Sequence, residues 1–78
     1  MVKLKNLKKN NDTILCDVFP EDSVNSGTLV VNTSGNVIDY SLPDGYEWCI
    51  NHIYHAARKI RELVNNGTLP SEITVMWN

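Results

Sequence analysis

Short strand-like apolar segments recur along much of the chain, interrupted once by a stretch of helical period. Val2 and Leu4 alternate with Lys3 and Lys5 over residues 2–7, the pattern of a half-buried strand. Lysines on such a strand suit an edge, where charge discourages pairing with other chains. Residues 9–12 (Lys-Asn-Asn-Asp) read as a turn, and residues 13–19 as a second strand stopped by Pro20. Residues 20–27 are a polar loop without periodicity. A third strand follows at 28–31, then a hairpin turn at 32–35 with Gly35 where positive φ is needed, then a fourth strand at 36–40. Residues 72–77 alternate once more and predict a final strand.

Between the fourth and fifth strands the period lengthens to that of a helix, predicted over residues 44–67. Asp44 stands as its N-cap, with Glu47 three residues on to complete a capping box. Gly67 occupies the left-handed C-cap position, and Pro70 lies just beyond. At about 100° per residue, Tyr46, Cys49, Ile50, Ile53, Ala56, Ala57, Ile60, Leu63 and Val64 share one arc. Ala56 and Ala57 at its middle allow a close approach to a sheet. The opposite arc carries Trp48, His52, His55 and Lys59, with Asn51, Arg58 and Glu62 beside them.

The fold class expected is α+β. A small, mainly antiparallel five-stranded sheet (β-β-β-β-α-β) carries one helix packed on one face, with the last strand beside the first and antiparallel to it. At 78 residues the chain is one domain, residues 1–78, with room for a single modest core. Several strands are apolar on both parities, and one helix covers one face only. Leu15, Phe19 and Val30 are therefore candidates for an apolar surface on the uncovered face, together with whichever neighbours share their side. A one-residue slip inverts the set, so pattern alone leaves the facing of each strand open.

Charge sharpens this only a little. The net charge is −2. Lys3, Lys5, Lys8 and Lys9 form one basic cluster, and Arg58, Lys59 and Arg61 another. Between them lies a stretch with no Lys or Arg that contains Asp12, Asp17, Glu21, Asp22, Asp39, Asp44 and Glu47. A polynucleotide binder needs a basic excess over its footprint. Nucleic acid is thus the weaker partner class, requiring the two basic clusters to converge. No apolar run is long enough for a transmembrane helix, and the basic N-terminus has no apolar stretch behind it. A cytoplasmic location away from membranes is the expectation. There the two cysteines, Cys16 and Cys49, are expected as buried thiols rather than a disulfide.

Chemistry is sparse. His52 and His55 stand three apart and could reach one metal, but a zinc site wants three or four ligands. Cys49 and His52 form a nominal nucleophile–base pair that points about 60° apart around a helix. No nucleophile elbow or phosphate-cradling glycine loop accompanies the Ser, His and Asp residues. The expectation is of no catalytic, cofactor-binding or metal residue. The candidate interaction surface is Leu15, Phe19, Val30, Trp48, His52, His55 and Lys59, and the partner is another protein or a second copy of the chain.

Two segments, Cys-Asp-Val-Phe-Pro-Glu-Asp at 16–22 and Tyr-Glu-Trp-Cys-Ile-Asn-His-Ile-Tyr-His-Ala-Ala at 46–57, together with the Asn-rich composition, carry a resemblance. The chain resembles the small uncharacterised proteins encoded on mobile elements of low-GC Gram-positive bacteria. That resemblance implies no catalytic or binding residue, and favours an accessory role exerted through protein contacts.

Overall fold

A computed structural model describes residues 1–77. Five strands and one helix follow in the order β1 (Val2–Asn10), β2 (Thr13–Pro20), β3 (Gly27–Asn32), β4 (Val37–Ser41), α1 (Ile50–Asn65) and β5 (Glu72–Val75). All neighbouring strands are antiparallel, in the order β4-β3-β2-β1-β5, so β5 lies beside β1. The α+β architecture expected from the pattern is the one observed. The chain leaves the sheet at the β4 edge, crosses one face as α1, and rejoins it at the opposite edge.

β1 runs three residues beyond the alternation that announces it, and a bulge explains why. Lys5 pairs with Asp17 and Lys8 with Leu15, leaving Asn6 and Leu7 opposite Cys16 alone. Asn6 takes φ 57°, and its Nδ2 donates to Asp17 Oδ2 at 2.8 Å. The extra residue shifts the parity, so Leu7 rather than Asn6 turns inward. The β1–β2 connection is a two-residue turn with Asn11 at φ 58°, between paired Asn10 and Thr13. At the β3–β4 hairpin, Asn32 Oδ1 accepts from the Ser34 and Asn36 amides, both at 3.0 Å. Gly35 supplies φ 85° there, as the turn sequence requires.

The inward set is Val2, Leu4 and Leu7 of β1, Ile14, Cys16 and Val18 of β2, Leu29 and Val31 of β3, and Val75 of β5. Against it lie Ile53, Ala56, Ala57 and Ile60 of α1. The two alanines are buried and bring the helix backbone close to the strands.

The helix itself begins later than its apparent caps. Gly45 adopts φ 86°, outside any right-handed helix, and residues 44–49 form consecutive turns. The Tyr46 amide donates to Pro43 O at 3.0 Å, and the Cys49 amide to Tyr46 O at 2.9 Å. Glu47 takes no part in a capping box. Its Oε1 accepts from the Gly45 amide at 3.2 Å. Cys49 is the N-cap and makes no side-chain cap bond. At the other end the expected stop is in place: Gly67 has φ 74°, its amide donates to Val64 O, and the Thr68 amide donates to Leu63 O, both at 3.0 Å. That pair of bonds is a Schellman motif. The late start removes Tyr46 and Trp48 from the helix, so the angular placement applies only from Ile50 onward.

Candidate interaction surface

The face of the sheet that α1 leaves open holds Leu15, Phe19 and Val30, settling the facing that pattern left undecided. They stand in a polar lattice. One cross-strand row runs Glu72, Lys5, Asp17, Thr28, Ser41, and another runs Lys8, Leu15, Val30, Asp39. Lys5 Nζ lies 5.2 Å from the centre of the Phe19 ring, a cation–π contact that covers part of it. Leu15 remains 44% exposed, while Phe19 and Val30 are half-buried. The contiguous apolar patch expected on this face is therefore interrupted, each apolar residue adjoining a charge. Lys3, Lys5 and Lys8 project from this face, whereas Arg58, Lys59 and Arg61 belong to the helix across the sheet. The first basic cluster is therefore split, since Lys9 alone of its four lysines lies on the helix side, in a cleft with Val64 and Leu69.

The second surface is a corner where the β2–β3 loop, the turns before α1 and the segment after β5 meet. Its centre is His52, which is buried at 7% exposure. The expectation that His52 lies on an outward stripe with Trp48 is overturned. His52 stands one helical turn before the buried Ala56, at the border of the buried arc, and its ring is closed in by other segments. Nε2 lies 2.7 Å from Glu21 Oε2, and the ring meets Trp77 edge-on at 4.8 Å and Trp48 edge-on at 5.6 Å. Nδ1 has no partner among the described residues. His55 is half-buried because its ring stacks on Trp77, 4.1 Å apart and 12° from parallel. Lys59 is half-buried beside Glu62, with 3.6 Å between their charged atoms.

Trp77 reaches these rings because β5 ends at Val75, two residues before the end of the expected strand, and frees the following segment to fold over α1. Neither that segment nor the β2–β3 loop covers Trp48, which stays 66% exposed. Its Nε1 donates to Gly45 O at 3.2 Å, fixing the indole edge on the turn. Tyr46 lies alongside, 6.5 Å between ring centres, and its hydroxyl donates to Asp22 Oδ1 at 2.7 Å. That bond, with burial and the Asp22 charge behind it, holds the Tyr46 hydroxyl above the usual phenol range.

Glu21 ties the corner together. Its backbone takes φ 52°, unusual for a side chain of this kind, and its amide donates to Met1 O at 2.9 Å. Its carboxylate accepts from the Met1 amino group at 2.8 Å as well as facing His52. The hydrogen bonds from the Met1 amino group and then from His52 hold the Glu21 carboxyl below its usual range.

This arrangement limits the chemistry available to the cysteines and histidines. Burial, with the Asp17 charge added, pushes the Cys16 thiol up to about 12. Burial and then Glu21 raise that of Cys49. Both remain thiols at neutral pH, and His52 presents its Nε2 to Glu21 rather than to Cys49. His52 and His55 are each committed to the aromatic stack rather than converging on a point.

Of the seven candidate residues, Trp48, His52 and His55 meet at the corner and Leu15, Phe19 and Val30 on the open sheet face, while Lys59 lies along the helix. Sequence reasoning missed Glu21, Asp22, Tyr46 and Trp77 as members of the corner. Tyr54 was missed too: it is 60% exposed on the outer face of α1. The Pro20-Glu21-Asp22 step, an abrupt strand stop followed by two acids, was the available signal for the first pair. No protein-family model, curated protein or solved structure matches this chain.

Proposed function

We infer that this protein is a small, non-enzymatic protein-interaction module that makes its contact through the corner around Trp48. The observation that carries this reading is an indole two-thirds exposed yet held in place by its own Nε1 bond to Gly45 and by packing on His52 and Tyr46. An exposed ring normally costs hydrophobic solvation, and one already ordered loses little entropy on binding. Both properties suit an interface anchor. The ionic and aromatic set beside it, Glu21–His52–Trp77–His55, with His52 buried at its centre, holds the anchor's platform in place. The same polar atoms offer no positioned nucleophile, since both thiols are buried and raised and His52 faces a carboxylate. Leu15 and Val30 on the open sheet face make a smaller second contact area. A second copy of the chain is one partner this reading accommodates. No helix among the described residues is long and apolar enough to cross a membrane.

A photoreactive phenylalanine analogue at position 48, introduced into the chain in the cells that express it, tests the reading. A discrete cross-linked adduct is expected from position 48, with none from the same group at Glu62 on the helix exterior. Absence of an adduct from position 48, or an identical smear from both positions, would count against the corner as a contact site.

A further inference from the structure

The corner has a charge as well as a ring. Two carboxylates belong to the same corner and are held there by the local turns: Asp22 accepts at 2.7 Å from the hydroxyl of Tyr46, whose ring centre is 6.5 Å from that of Trp48, and Glu47, next to Trp48 in the chain, accepts from the Gly45 amide at 3.2 Å. Neither pairs with a cation among the described residues, although Lys3 and Lys5 line the same cleft as Asp22 on the sheet side. Glu21, the third acid here, is by contrast matched by the Met1 amino group and faces His52. The Trp48 Nε1 is already bonded to Gly45, so what the indole offers a partner is its π face and not its donor.

An exposed indole face that shares a corner with unmatched carboxylates attracts a cation through the ring quadrupole and through Coulomb attraction together. We propose that the occupant of the Trp48 corner is a basic segment of a partner protein, an Arg or Lys side chain laid on the indole with Asp22 and Glu47 as its counter-charges. Arg is the better fit, because its planar guanidinium stacks on an aromatic face while donating sideways to carboxylates. This inference rests on the reading of the corner as a protein-contact site and adds the chemistry of what is contacted.

The test is a titration of the isotope-labelled chain with a nine-residue polyarginine peptide, followed at the two indole N–H resonances, with a nine-residue polyglutamate peptide as control. The Trp48 resonance should move saturably with polyarginine and stay fixed with polyglutamate. Affinity should fall about tenfold or more in an Asp22→Asn/Glu47→Gln double variant, and fall again on raising salt, which screens such contacts. Asn and Gln keep the acceptors that Tyr46 and Gly45 use, and an unmoved Trp77 resonance reports that the variant is folded. The proposal is overturned if polyarginine leaves Trp48 unmoved, or if the double variant binds with unchanged affinity. It is also overturned if the Trp48 resonance moves with protein concentration alone, which would place a second copy there. An adduct from position 48 without polyarginine binding would remove the basic occupant and leave the contact site standing. Failure of both would remove the site.

Discussion

Truncating Ile60 to Ala measures how the helix is held to the sheet. Ile60 is fully buried between α1 and the strands. The change removes three carbons, and at about 0.8 kcal/mol for each the lost transfer energy is roughly 2.4 kcal/mol. The space left behind can collapse only in part, because Ala56 and Ala57 beside it already bring the helix close to the strands. The cavity term therefore adds to the total, giving a cost of about 3–4 kcal/mol, within the usual range for such truncations. A domain of this length has a total stability of about 4–12 kcal/mol, so the loss is a large part of the whole. Urea titration followed by far-UV circular dichroism should show a lower midpoint at unchanged slope. Thermal unfolding should fall by more than about 12 °C. Tyr54→Ala, on the solvent side of the same helix, is the control and should change stability by about 0.5 kcal/mol or less. A cost below about 1 kcal/mol at Ile60, or an equal cost at Tyr54, would refute the assigned helix face.

Three further outcomes follow from the geometry. The Glu21 carboxyl is held below its unfolded-chain value near 4.5, so its contribution to stability is present above that value and is lost as pH falls through the lower folded one; Glu21→Gln should therefore flatten the decline of melting temperature below about pH 4.5. Gly27→Ala drives a Cβ into Ser41 O, a backbone atom, so β3 and β4 must separate; a loss of about 1–3 kcal/mol is expected in the same urea titration, and a neutral result would show that the hairpin end yields freely. Cys16 and Cys49 are both buried, so a thiol-specific chromogenic reagent should react with neither in native buffer and with both in denaturant; fast reaction of either in native buffer would contradict its burial.

Most of the sheet and the end of the helix were legible in the sequence because each rests on local chemistry. Alternation over residues 2–5, the apolar run at 13–19 before Pro20, Gly35 in its turn and Gly67 at its cap all act within a few residues. The start of the helix was misread for a physical reason. Asp44 and Glu47 have capping-box spacing, but Gly45 between them turns to positive φ, and the carboxylate of Glu47 satisfies Gly45 rather than a cap. The bulge at Asn6 and Leu7 was hidden because a parity change inside one strand resembles the strand's end. The corner was legible only in pieces. Trp48 was visible as an oddity, but its companions Glu21, Asp22, Tyr46 and Trp77 come from three separate stretches. What joins them is tertiary: the β2–β3 loop reaching His52, and the segment after β5 folding back over α1. His52 was assigned to the outside because helical angle alone cannot register what other segments lay on top.

The proposed contact runs through Trp48 rather than through the open sheet face. With a cross-linked partner in hand, the decisive measurement is its dissociation constant for Trp48→Ala beside Leu15→Ala, each checked for folding by the Trp77 indole resonance. A hot-spot anchor corresponds to a loss of about 2 kcal/mol or more, roughly thirtyfold in affinity. A weakening of at least that size is expected for Trp48→Ala and less than about threefold for Leu15→Ala. Equal losses, or a larger loss at Leu15, would contradict it.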